Sequence, residues 1–243
     1  MLLSLVKWAI GITITLIGMI IFFPSYPFTY KTKFPSWLAS LWARIIVFIS
    51  GSRVKVIGRE NLLKNQSQIF FSNHQSFFDI YILLGYLPLK SIFLSKKVVF
   101  KVPLIGWVMK VLGYVPIDRS SPRQSLKSLK FASRQLGKGY SIIIFPEGTR
   151  SPDGRVQQFK SGSLRLALQS GTAVVPISLF GSGKIQPKGS IKVRGQRVCL
   201  VIGQPLTPPG NTKEEKANFL EHIRELIIKN LEIARRAVSR QNS

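Results

Sequence analysis

Cysteine occurs once in the 243 residues, at Cys199, so no internal disulfide can form and a reducing compartment fits. Cys199 lies in an apolar run, RVCLVIG, and reads as a small core residue. Histidine occurs twice, at His74 and His222, and no CxxC or HExxH spacing is present. A metal site is therefore not expected. No GxxxxGK[ST] string occurs, which argues against a nucleotide cradle, and no cofactor is expected. Acidic residues are scarce too: ten Asp and Glu stand against thirty-five Lys and Arg, a formal net charge of +25. Two kinds of partner suit that charge, nucleic acid and an anionic membrane lipid surface. No nucleic-acid-binding motif is present, and the cations are spread through apolar segments. An anionic leaflet accounts for both the charge and the positive mean hydropathy of +0.18.

Long apolar runs are confined to the start of the chain. Residues 2–23 are apolar apart from Lys7 and small polar side chains, long enough at 1.5 Å per residue to cross a hydrocarbon core of about 30 Å. A secretory signal peptide is the competing reading, weakened by the length of the run and the lack of a clear small-x-small cleavage site. Pro24 and Pro27 are expected to end this helix. Residues 37–49 form a shorter apolar run, better suited to an interfacial helix anchored by Trp37 and Trp42. Lys31, Lys33 and Arg44 follow the first segment. Positive-inside bias then places the rest of the chain on the cytoplasmic face of an inner membrane. This divides the chain into membrane-anchoring helices over 1–50 and an α/β domain over 51–243.

From residue 53 the pattern alternates. Strands are predicted near 54–57, 68–72, 91–95, 141–145, 173–179 and 191–202, and helices near 77–86, 104–112, 122–136, 161–169 and 212–237. Alternation of this kind specifies an α/β fold, a mixed sheet flanked by helices. The last helix is basic, with Arg235, Arg236 and Arg240, and reads as a solvated face.

Two strings carry chemistry. The first is SNHQSFFD, residues 72–79, where His74 precedes Asp79 by five positions just after a strand-like run. Histidine is the side chain best suited to removing a proton near neutral pH, and a carboxylate on its other ring nitrogen fixes the tautomer. On a continuous helix, five residues rotate the chain by about 500°, leaving the two side chains about 140° apart. They meet only if His74 sits in the turn before the helix and Asp79 in its first turn. Ser76 and Asp79 also match a capping box, so Asp79 could simply cap the helix; the two roles are compatible. The second string is FPEGTR, residues 145–150, at the exit of another apolar run. Gly148 permits a tight turn, and Arg150 offers a planar fork for a phosphate or carboxylate.

In that order and spacing the two strings resemble the paired blocks of the glycerolipid acyltransferases, which carry a fatty acyl chain from a thioester to a lysophospholipid hydroxyl. A middle block, from Lys96 through a Pro–Gly stretch to Ile117-Asp118-Arg119, and a fourth, VVPISLFGSG, are also similar. The resemblance covers roughly residues 54–206. It implies an enzyme with His74 as general base and Asp79 orienting it. It implies Lys96, Arg119 and Arg150 as phosphate ligands, with Glu147, Gly148 and Thr149 shaping the acceptor site. The implied substrates are 1-acyl-glycerol-3-phosphate as the lysophospholipid acceptor and acyl-CoA or acyl-carrier protein as donor, giving phosphatidic acid. Another lysophospholipid or an ornithine lipid as acceptor stays open. So does a non-catalytic basic protein of membranes or nucleic acid, against which the intact His/Asp pair argues.

Overall fold

The computed structural model describes residues 1–88, 90–117, 121–210 and 212–239. Among these, seven strands form one sheet in the order β1-β7-β6-β2-β5-β3-β4. The strands are β1 (Arg53–Ile57), β2 (Ile69–Ser72), β3 (Ser91–Lys96), β4 (Val115–Ile117), β5 (Ser141–Ile144), β6 (Val174–Phe180) and β7 (Arg197–Ile202). The β6–β7 pair is antiparallel, and every other neighbouring pair is parallel. The sheet is therefore mixed, as expected for the fold class.

Central strands of a parallel sheet are covered on both faces and read as unbroken apolar runs. β2 and β5 behave in this way, with every residue buried. The helices are α1 (Leu2–Thr29), α2 (Phe34–Ile49), α3 (Phe78–Tyr86), α4 (Ile105–Val111), α5 (Pro122–Gly137), α6 (Arg165–Ser170), α7 (Ser182–Ile185) and α8 (Lys213–Ser239). α8 packs on β6 and β7, α5 on β4 and β5, and α2 covers α3. Buried side chains from β2, β5, β6, α3 and α8 join one continuous core. Cys199 is fully buried in a second, smaller cluster with Val201 and Ala234.

Two expectations are corrected. The prolines do not end the first helix, which continues through Pro24 and Pro27 to Thr29. Tertiary packing holds the turn: Phe22 is buried and stacks on Tyr26, whose hydroxyl donates to the Val111 carbonyl at 3.2 Å. The run from 191 to 202 is strand only from Arg197. Its first part faces α1 instead, with Trp8 Nε1 donating to the Ile191 carbonyl and the Val193 N–H to Ser4 Oγ. Trp42, expected at a lipid interface, donates its Nε1 N–H to Thr15 Oγ1 and so ties α2 to α1. Strand β4 lay hidden behind Pro116, which a strand at the sheet's edge tolerates.

α1 is long and apolar enough to cross a membrane, and little of it is buried. It nevertheless touches the α/β body near both ends. Lys7 Nζ donates to the Ser50 carbonyl at 2.7 Å and Trp8 reaches Ile191, while Tyr26 reaches Val111 some twenty residues later.

Candidate active site

The site follows from the register of two strands. β2 and β5 run parallel as neighbours, with Phe71 opposite Ile144. The residues leaving their C-terminal ends must therefore lie side by side, which brings His74 next to the 145–150 loop from seventy residues away. β3 flanks β5 on its other side in the same direction, so Lys96 also ends on this edge. In open α/β sheets the carboxyl edge is where ligands bind.

The turn after β2 is built to hold His74. Asn73 is buried and clamps β6, its Nδ2 donating to the Leu179 carbonyl and its Oδ1 accepting the Leu179 N–H. His74 then sits outside the helix, and α3 begins at Phe78, with Asp79 in the first turn. Nδ1 of His74 lies 2.8 Å from Oδ2 of Asp79. The same oxygen accepts the N–H groups of Gln75 and Ser76, at 2.6 and 2.9 Å. Asp79 thus caps the helix and holds the imidazole at once. Ser76 does not close the capping box: its Oγ donates to the Gln186 carbonyl and accepts the Phe78 N–H. Asp79 is fully buried, and its Oδ1 has no partner among the described residues. A buried carboxylate with one oxygen unsatisfied gains from a cation beside it.

The ring of His74 stacks flat on Phe145, centroids 3.9 Å apart and planes 12° from parallel. Its side chain is 14% exposed. With Nδ1 engaged, Nε2 is the nitrogen free to exchange a proton with a bound hydroxyl; no described residue bonds it. The main chain is fastened as well: the Ser151 N–H donates to the His74 carbonyl at 2.8 Å.

In the second loop Gly148 has φ +75°, a conformation only glycine takes freely, and a Cβ there would press on the Lys160 side chain. Thr149 is exposed. The Arg150 guanidinium lies over the Phe77 ring, 4.0 Å from its centroid. Lys96 is exposed at the end of β3. Arg119 lies outside the described residues, as does Arg240.

Glu147 is buried, 2% exposed. Its Oε1 accepts the His74 N–H at 2.9 Å and its Oε2 the Gln157 N–H at 3.1 Å. Burial pushes its carboxyl up to about 7 against the pull of those two N–H groups, with Asp79 adding to the rise and Arg224 opposing it. Two further cations lie at this edge that no sequence motif marks. Lys160 lies against Gly148, and Lys188 Nζ donates to the Arg150 carbonyl at 3.0 Å.

The sequence matches the acyltransferase family model over residues 53–179. It is 42% identical over 179 residues to a chloroplastic 1-acyl-sn-glycerol-3-phosphate acyltransferase of Arabidopsis thaliana, a match covering 73% of this chain and 50% of the relative. It is 32% identical over 199 residues to a 1-acyl-sn-glycerol-3-phosphate acyltransferase of Limnanthes douglasii, covering 82% and 70%. The chain spans about half the length of the curated relatives it matches at about 40% identity. The fold is similar to the crystal structure of the 1-acyl-sn-glycerophosphate acyltransferase PlsC from Thermotoga maritima, with a TM-score of 0.72, 28% identity, and 93% and 96% of the two chains covered. With the family model spanning the strands and loops that carry His74, Asp79 and the 145–150 turn, the chain belongs to the acyltransferase family.

Proposed function

We propose that this chain transfers a fatty acyl group from a thioester to the free hydroxyl of 1-acyl-glycerol-3-phosphate, forming phosphatidic acid. The observation that carries the reading is the His74–Asp79 pair, 2.8 Å apart, with Nε2 left free at the carboxyl edge of the sheet. The names of the relatives supply the acceptor.

In this reading Nε2 of His74 removes the hydroxyl proton as the oxygen attacks the thioester carbonyl. Asp79 holds the ring and stabilises the imidazolium that forms. Collapse of the tetrahedral intermediate breaks the C–S bond, and the imidazolium returns its proton to the departing thiolate. No enzyme nucleophile is needed. Arg150, with Lys96 and Arg119, holds the acceptor phosphate, and the main chain at Gly148 and Thr149 borders it. An apolar groove of about 310 Å³ runs between α1, α2 and α3, lined by Trp8, Ile12, Leu16, Phe78, Tyr81 and Leu104. It has the size and lining to take part of an acyl chain, and Phe78 adjoins Asp79.

The membrane supplies the acceptor. α1 keeps contact with the body near both its ends, which favours a helix lying in one leaflet beside the domain over one crossing away from it. Exposed Leu2, Leu3, Ile12 and Ile20 on α1 and Phe48 on α2 would enter the lipid. The charge of +25 favours an anionic surface, and Lys31 and Lys33 favour the cytoplasmic face.

A thiol-release assay on detergent-purified protein tests this, offering 1-acyl-glycerol-3-phosphate, lysophosphatidylglycerol and an ornithine lysolipid against acyl-CoA and acyl-carrier protein. The reading requires the first acceptor to be preferred, with either donor. It also requires His74→Ala to lower turnover by at least 10²–10⁴-fold in a folded protein. Preference for another acceptor would keep the chemistry and change the substrate; near-normal turnover by folded His74→Ala would remove the mechanism.

A further inference from the structure

We propose that Glu147 is a positioning residue for His74, a buried latch that joins the turn carrying the imidazole to the loop carrying Arg150. This rests on His74 being the base. It replaces the expectation that Glu147 shapes the acceptor site directly.

The partners of Glu147 define the role. Both of its oxygens are engaged, and both partners are main-chain N–H donors, His74 at 2.9 Å and Gln157 at 3.1 Å. A carboxylate accepts at both oxygens; a carboxylic acid carries an O–H donor and an amide carries an NH₂. Either would set a donor against a donor. At 2% exposure the side chain is closed to solvent, so no acceptor hydroxyl or phosphate can reach it. What it does reach is the residue that matters for proton transfer. The imidazole is fixed through Asp79 on one side and the Phe145 face on another. Glu147 fixes the main chain from which that ring hangs. The Ser151 N–H holds the His74 carbonyl from the same second loop, so the two loops are fastened at both polar groups of His74.

The latch is sensitive to protonation. Burial raises the Glu147 carboxyl to about 7 against the pull of the Gln157 and His74 N–H groups. The other charged groups facing it are Asp79 on α3, which raises it, and Arg224 on α8, which lowers it. Lys160 lies beside Gly148, the next residue, and the His74 ring shares the turn. Opening the turn would hydrate the carboxyl and return it toward its ordinary range with release of a proton, so opening becomes easier as pH rises through about 7.

Glu147→Gln and Glu147→Asp, in the full chain in detergent, test the latch with two readouts. The first is the division between kcat and KM. Loss of one charge-assisted bond corresponds to roughly a ten- to hundredfold loss. It should appear in kcat for Glu147→Gln, and less for Glu147→Asp, which keeps the carboxyl but reaches less far. KM for the lysophospholipid should stay within about threefold. A raised KM with kcat retained would make Glu147 an acceptor ligand and overturn the proposal. The second readout is amide hydrogen exchange over residues 73–79 and 155–159, which does not depend on turnover. Glu147→Gln should lose protection there and keep it in β6 and β7; equal protection in both proteins would overturn the latch. If Glu147→Gln does not fold, the wild type decides. Corrected for intrinsic rates, protection at these amides should be lower near pH 8 than near pH 6, because opening hydrates the carboxyl and releases its proton. A pH-independent protection factor refutes the proposal. A protein that transfers acyl groups to no acceptor yet loses protection in Glu147→Gln would overturn the proposed function and leave the latch standing.

Discussion

Asp79→Asn separates the two jobs that Asp79 performs in one place. Oδ2 accepts from the His74 ring and from the N–H groups of Gln75 and Ser76. An asparagine can present its carbonyl oxygen to the same three donors, so the first turn of α3 stays capped. Two things change. The negative charge that stabilises an imidazolium disappears, and the NH₂ takes the place of Oδ1, buried with no partner among the described residues. An unsatisfied buried donor costs about 1–3 kcal/mol, offset in part because an ionised group no longer has to be buried. The net change in stability should therefore be small. The change in rate should not be. In a serine-protease triad the same exchange lowers kcat about 10⁴-fold. That corresponds to about 5.5 kcal/mol of transition-state stabilisation. Here the carboxylate is fully buried and bonded straight to Nδ1, so a loss of 10³–10⁴ in kcat is expected, with lysophospholipid KM nearly unchanged. Thiol release at saturating substrates, beside a thermal melt in the same detergent, provides both numbers. A variant that melts several degrees lower yet turns over normally would show that Asp79 caps a helix and does nothing for His74.

Arg150→Ala should raise KM for the lysophospholipid by roughly ten- to a hundredfold while leaving the thioester KM little changed, with Lys96→Ala acting more weakly; equal acceptor KM values would place the phosphate elsewhere. Glu147 should also be visible in stability. Its folded carboxyl sits near 7 against an ordinary 4.5, so its contribution is present below about 4.5 and is lost as pH rises through 7, about 3 kcal/mol in all. Thermal scans of Glu147→Gln should accordingly gain on the wild type between about pH 5 and pH 8; a constant difference would contradict the raised value. Deleting residues 2–23 should leave a protein that high salt strips from anionic vesicles, because α2 and the cationic surface remain at about 1 kcal/mol per basic residue near the leaflet. It should also melt earlier, since Lys7, Trp8 and Ser4 no longer bond the body. A truncated protein that is freely soluble at low salt would make α1 the sole attachment.

The parts of this site that were legible in sequence are those set by neighbours along the chain. The turn after β2 follows from an apolar run, three polar residues and a second apolar run. The angular argument then requires His74 in the turn and Asp79 in the first helical turn, where the structure has them. Gly148 at φ +75° was equally local. What could not be read is set by which strands are neighbours. Glu147 meets His74 only because β5 lies beside β2, and that order arises from crossovers spanning seventy residues. A glutamate in a turn carries no mark of what it will bond, so its acceptor role and its burial appear only once the sheet is assembled. Local rules also failed where packing outweighed them. Pro24 and Pro27 each remove a helical hydrogen bond, but buried Phe22 and the bond from Tyr26 to Val111 keep the helix on the body to Thr29. Residues 191–196 resemble a strand, yet α1 and the 185–190 loop take up hydrogen bonds that a neighbouring strand would have made. Both departures concern α1, and both arise because it is part of the folded body. A helix held at residues 4–8 and again at Tyr26 forms one wall of the groove that Phe78 also lines, and under the proposed function it attaches the domain to lipid as well. Mutations on its inner face, at Lys7 or Thr15, should therefore disturb catalysis in detergent micelles, where attachment to a bilayer no longer matters.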